Sequence, residues 1–167
     1  MAVEIRSIKR SELLEFYNMQ QVYLDKESFD IFLKNFKKYP RLYLCAFKGK
    51  ELVGIAYPGT LRDGSLYLRG IGVDLAKGYA RKGIGSKLLS AFENEVRSKG
   101  QHTLTAGSAK DPKVEKFYAK NGWQPTKLVI KNKNRRTRIK ISEEAKLSFL
   151  RKKFSTRDYF IVFEKKL

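Results

Sequence analysis

Apolar residues change their spacing along the chain, and each change marks a structural element. Val3, Ile5 and Ile8 form a short apolar stretch that predicts a first strand. Ser11 followed by Leu13, Leu14 and Tyr17 predicts a helix with the serine as its cap. Phe29, Phe32, Leu33 and Phe36 recur at i, i+3, i+4 and i+7, which predicts a second helix. Pro40 stops that pattern, because proline has no N–H to continue a helix. From Leu42 to Phe47 the residues are apolar and β-prone, Lys48-Gly49-Lys50-Glu51 makes a turn, and Leu52 to Tyr57 completes a hairpin. Asp63-Gly64 signals another turn before a strand from Leu66 to Val73. Three consecutive antiparallel strands are expected.

The next stretch is basic and glycine-rich, Lys77-Gly78-Tyr79-Ala80-Arg81-Lys82-Gly83-Ile84-Gly85-Ser86. It runs into a helix with Ile84, Leu88, Leu89, Phe92 and Val96 on one face and Gly100 as its stop. Strand, glycine loop and helix start together aim free backbone N–H groups at an anion. Two phosphate fingerprints fail here. Ile84-Gly85 stands where a P-loop needs Lys-Ser/Thr, and Leu88 takes the third glycine position of a dinucleotide signature. A strand at His102–Ala106 follows. Asp111-Pro112 then opens a helix carrying Val114, Phe117 and Tyr118, which Asn121-Gly122 ends. Leu128 to Ile130 predicts a further strand.

The chain has 167 residues, which predicts one domain over 1–167. Cys45 is the only cysteine and His102 the only histidine, so an internal disulfide is impossible and no metal site is expected. The start lacks a secretory apolar region, and no apolar run nears the ~18 residues of a membrane span. With a single thiol, the expected compartment is the cytoplasm.

Ala80-Arg81-Lys82-Gly83-Ile84-Gly85-Ser86-Lys87-Leu88-Leu89 and Phe117-Tyr118-Ala119-Lys120-Asn121-Gly122-Trp123 together resemble the GNAT superfamily of N-acetyltransferases. The first is similar to that family's Q/R-x-x-G-x-G/A loop. The second is similar to its F-Y-x-x-x-G-F helix end, with Trp123 for the final Phe. The order of elements fits from Val3 to about Ile130.

The resemblance implies an α/β (α+β) fold: a mixed, mostly antiparallel sheet flanked by helices, with two splayed strands forming a CoA cleft. It implies acetyl-CoA as acetyl donor, its pyrophosphate on the amides of Arg81, Lys82, Gly83, Ile84, Gly85 and Ser86. The pantetheine arm would pair with Ile71, Gly72 and Val73. Tyr118 takes the position of a general acid for the departing thiolate, and a phenol of pKa about 10 suits that task at pH 7. Attack would be direct, so Cys45 need not act as a nucleophile. Ala80 departs from the Gln or Arg that heads the family's loop, and Asp111 stands where many members have Asn. Tyr67 and Arg69 sit where relatives often carry a basic Glu, and the connection 74–80 is about two residues longer than usual.

Charge is concentrated at one end. The chain holds 36 Lys and Arg against 17 Asp and Glu, a net +19, and residues 127–167 alone hold 14 against 4. This region is expected as a basic insertion between two closing strands, Leu128–Ile130 and Tyr159–Phe163. A helix is expected from Ser142 through Leu147, Phe149, Leu150 and Phe154. Residues 131–140 carry no aromatic for base stacking. They are either a solvated basic hairpin or a salt-sensitive contact to nucleic acid or an acidic protein. The functional expectation is an N-acetyltransferase acting on an amine acceptor, either a small molecule, a protein or an RNA-linked amine. The alternative is a GNAT-like module without transfer activity that binds a polyanion through its basic end.

Overall fold

Turn residues and small side chains determine how the strands meet. The computed structural model describes residues 2–79, 81–108 and 111–167, so Ala80 lies outside the described residues. The chain divides into two compact units, residues 1–102 with Leu167, and residues 103–166.

In the first unit β1 (Val3–Ser7), β2 (Leu44–Lys48), β3 (Glu51–Thr60) and β4 (Leu66–Val73) pair in sequence order, every ladder antiparallel. Gly49 and Gly64, at φ 64° and 84°, make the turns that the Lys-Gly and Asp-Gly steps predict. Helices α1 (Leu13–Tyr23) and α2 (Phe29–Lys38) supply Phe16, Phe32 and Phe36 to a core shared with Tyr43, Cys45, Ile55 and Tyr57. Successive strand residues face opposite ways, so Ala46, Gly54 and Ala56 lie on the other side of the sheet. Their small size admits α3 (Ile84–Ser98): a β-carbon on Gly54 would stand 3.0 Å from Leu88. Helices therefore flank this sheet on both faces.

The second unit contains β5 (Thr103–Ser108), α4 (Pro112–Lys120), β6 (Gln124–Asn132), β7 (Arg135–Lys140), α5 (Leu147–Lys153) and β8 (Tyr159–Lys166). Its strand order is β5-β8-β6-β7, antiparallel throughout. The two expected closing strands do pair, with Leu128 opposite Ile161 and Ile130 opposite Tyr159. Arg151 of α5 is ion-paired with Glu115 of α4.

Two local expectations need correction. Ser11 lies inside a 3₁₀ turn, Arg10–Glu12, and makes no cap; Glu12 instead accepts from the Lys9 N–H at 2.8 Å. Ser142 closes a tight turn with Ala145, so the helix starts five residues later, at Leu147. The basic stretch 131–140 forms a hairpin, with β7 held by pairing to β6.

Candidate functional site

The loop after β4 is built from local hydrogen bonds and two left-handed residues. Val73, Gly72 and Ile71 pair with Gly54, Ile55 and Ala56 of β3. Leu24 caps this strand end; a β-carbon on Gly72 would meet it at 3.3 Å. Asp74 then folds the chain back. Its carbonyl accepts from Tyr79 N–H and its carboxylate accepts from Lys77 N–H at 3.1 Å and from Tyr23 Oη at 2.9 Å. Burial opposes the charge of Asp74, but these donors hold its pKa below the ordinary value.

Arg81 and Gly83 both adopt positive φ, 59° and 76°. That geometry turns the chain directly into α3, whose first internal bond runs from Lys87 N–H to the Gly83 carbonyl. The N–H groups of Ile84, Gly85 and Ser86 have no acceptor among the described residues, as expected for the first turn of a helix. No carboxylate occupies that turn, and Arg81, Lys82 and Lys87 around it are exposed. Three free donors, the positive helix end and three cations suit a polyphosphate.

A second feature of this unit went unseen in the sequence. Pro58 cannot donate to the ladder, and the β3–β4 register slips there, leaving Arg69 as the extra residue of a bulge. Arg69 turns to the α1–α2 connection, with Nε 2.8 Å from Asp25 and Nη1 3.0 Å from Glu27. Burial opposes the charge on Arg69, and the two carboxylates more than offset it. Tyr57 Oη donates to Asp25, Gln20 Nε2 donates to Glu27, and the buried Gln20 Oε1 has no partner among the described residues. Two carboxylates of the α1–α2 connection thus stand beside β4, which carries none of its own. Asp25 and Glu27 sit in a gap between two periodic segments, and the bulge that aims Arg69 gives both of them the same cation. Beside this cluster lies a cavity of about 260 Å³ lined by Lys38, Tyr39, Tyr43, Gly59, Tyr67 and Arg69. The rings of Tyr17 and the exposed Phe29 lie 5.0 Å apart, and Tyr17 Oη donates to the Glu27 carbonyl at 2.7 Å.

In the second unit Asp111 caps α4 by accepting from Lys113 N–H at 2.8 Å, and Pro112 opens the helix as predicted. Tyr118 is 3% exposed, its ring 5.0 Å from Phe163 and 5.3 Å from Trp123. Its hydroxyl has no hydrogen-bond partner among the described residues, and burial pushes its pKa up. Cys45 is buried in β2 and its thiol pKa is likewise raised by burial. No metal-binding cluster of His, Cys, Asp or Glu occurs among the described residues, and no helix there is long and apolar enough to cross a membrane.

The sequence profile of the Acetyltransferase (GNAT) family matches residues 4–123. The chain belongs to this family. That span holds the β4 strand end, the Arg81–Ser86 loop and Tyr118, so the GNAT assignment covers both motifs. Solved structures agree at the level of fold. Ard1 from Thermoplasma volcanium superposes with a TM-score of 0.73 at 15% identity, covering 100% of this chain and 99% of that one. Naa50 from Arabidopsis thaliana, solved with the bisubstrate analogue CoA-Ac-MVNAL, gives 0.68 at 18% identity and 100% of both chains. The yncA protein from Salmonella typhimurium, solved with acetyl-CoA, gives 0.68 at 17% identity, covering 100% and 95%. A search of curated proteins returned no match.

Proposed function

We propose that this GNAT chain is an acetyl-CoA-dependent N-acetyltransferase, acting as one domain over residues 1–167. The observation that carries the reading is the start of α3, a carboxylate-free turn with three N–H groups unpaired among the described residues and exposed Arg81, Lys82 and Lys87. Arg81, Lys82, Gly83, Ile84, Gly85 and Ser86 would hold the pyrophosphate. The backbone of Ile71, Gly72 and Val73 would line the pantetheine arm. Bound, the cofactor supplies an acetyl group already activated as a thioester.

Tyr118 keeps its proton on Oη at neutral pH, because burial penalises the phenolate. That proton would pass to the departing sulfur, and the proton the amine loses on forming the amide would return to the Tyr118 oxygen, directly or through water. The acceptor amine attacks directly, so buried Cys45 takes no part. The acceptor is an amine on a small molecule, a protein or an RNA, and residues 131–140 would engage a polyanionic carrier. The exposed row of cations on β7 also favours a second reading, a GNAT module that binds a polyanion without transferring acetyl groups.

Calorimetric titration with acetyl-CoA, followed by thiol release against a panel of amines, separates the two. Saturable binding with acceptor-dependent release is expected. No binding sinks the first reading, and binding without release from any amine favours the second. Tyr118→Phe should lower turnover at least tenfold while leaving acetyl-CoA affinity within about twofold. Unchanged turnover removes Tyr118 from catalysis.

A further inference from the structure

The pairing of β7, β6, β8 and β5 sorts their side chains onto two faces, and the sorting is uneven. Tyr118 of α4 stacks on Phe163, which faces Pro125 and Ala106 across the ladders. The opposite face carries Arg136, Arg138 and Lys140 from β7, with Lys131, Val129 and Lys127 directly across from them on β6. Phe160 lies across from Val129 on β8. All five cations are exposed, and none has a carboxylate partner among the described residues. Glu164 lies on this face four residues along β8 from Phe160, and the exposed Asp158, just before β8, accepts from Lys131 N–H through its carbonyl at 2.8 Å.

We propose that this face binds single-stranded nucleic acid, with the Arg136, Arg138 and Lys140 row holding phosphates and Phe160 stacking on a base. The proposal deepens the polyanion reading of residues 131–140 and does not depend on acetyl transfer. Alternate strand residues repeat at about 6.6–6.8 Å, so the three β7 cations form an evenly spaced row. Such a row suits the regular charges of an extended phosphate backbone. An acidic peptide would be satisfied by charge alone, and the aromatic residue at the centre is what favours nucleic acid.

Phe160 is only partly buried, and Lys131 Nζ lies over its ring, 5.4 Å from the centroid. Beside it on β5, Gly107 carries no side chain; a β-carbon there would stand 3.5 Å from the ring. An aromatic platform within a cationic strip is the usual composition of a single-strand site. The basic stretch 131–140 has no aromatic of its own. Strand pairing supplies one from about 20–30 residues further along the chain.

The test is fluorescence anisotropy with a labelled oligothymidylate and an oligouridylate, each of roughly 12 nucleotides. A labelled polyglutamate and a duplex of equal length serve as comparisons. Binding should be saturable and tighter to the single strands than to polyglutamate. The combined variant Arg136→Gln, Arg138→Gln, Lys140→Gln should weaken it at least tenfold. It should also make the slope of log affinity against log salt shallower by about two units, at ~0.7 per phosphate contact on a single strand. Phe160→Leu should weaken binding about fivefold or more with the salt slope unchanged. If the triple variant fails to fold, Lys131→Gln alone should reduce the slope by about 0.7.

Absence of saturable binding overturns the proposal. So does equal affinity for polyglutamate together with an unaffected Phe160→Leu, which would make the face an acidic-protein surface. Acetyl-CoA titration of the same variants reports the cofactor site separately, so the two readings fail independently.

Discussion

Gly70 and Gly83 are both required to be glycine, for unrelated reasons. Gly83 adopts φ 76°, and nothing lies within 4 Å of where its β-carbon would stand. Gly83→Ala meets no clash but forces a left-handed alanine, at a cost of about 1–2 kcal/mol. It should also loosen the turn that presents Ile84, Gly85 and Ser86, so acetyl-CoA affinity should fall with stability. Gly70 has ordinary backbone, yet a β-carbon there would stand 2.4 Å from the buried Tyr57 ring. Gly70→Ala should cost about 1–3 kcal/mol through crowding and leave the Arg81–Ser86 turn intact. Urea unfolding and acetyl-CoA titration of both variants check the contrast; equal loss of cofactor affinity in the two would refute it. Gly83 was legible in the sequence because a basic loop and an amphipathic helix surround it. Gly70 was not, since its reason is a ring on the neighbouring strand.

Elements with an apolar period were legible, while those held by polar groups were not. The helices at 29–38, 84–98 and 112–120 follow their periodicity, capped or stopped by Ser28, Gly100 and Asp111. Strand β7, Arg-Arg-Thr-Arg-Ile-Lys, has one apolar residue and so no alternation to detect; pairing with β6 makes it a strand. The serines at 11 and 142 carry a cap signal that also fits a tight turn, and the turn wins at both. At the first of these, the element junction is an ionic clamp. Arg6 on β1 grips Glu12 with contacts of 2.6 and 2.8 Å, and Glu12 accepts from Lys9 N–H. The Arg6 hydrogen bond, chiefly, lowers the Glu12 pKa from 4.5 to about 2. A folded pKa below the unfolded one adds stability that is present above pH 4.5 and is lost as the pH falls towards 2. Chemical denaturation between pH 5 and 2 should therefore show a decline that Glu12→Gln makes shallower. Parallel declines in the two proteins would sink the assignment.

At the scale of the whole molecule, the family and the glycine turn into α3 were legible because each rests on residues close together in sequence. The Asp25, Glu27 and Arg69 cluster was not, because a bulge at Pro58 unites segments more than 40 residues apart. Net charge acts at this scale too. A charge of +19 repels itself, and salt screens that repulsion over about 10 Å at 0.1 M. The melting temperature should therefore rise between low and moderate sodium chloride, by about 2–4 °C for each kcal/mol relieved. A flat or falling melting temperature would show that local ion pairs such as Arg6–Glu12 outweigh the global repulsion. The sole cysteine, fully enclosed in β2, has a practical consequence. The folded protein presents no accessible sulfhydryl, so a colorimetric disulfide reagent would register only the coenzyme liberated during turnover. A cysteine installed at Lys133, in the exposed turn between β6 and β7, would then be the unique attachment point for a fluorophore on the basic face's own hairpin.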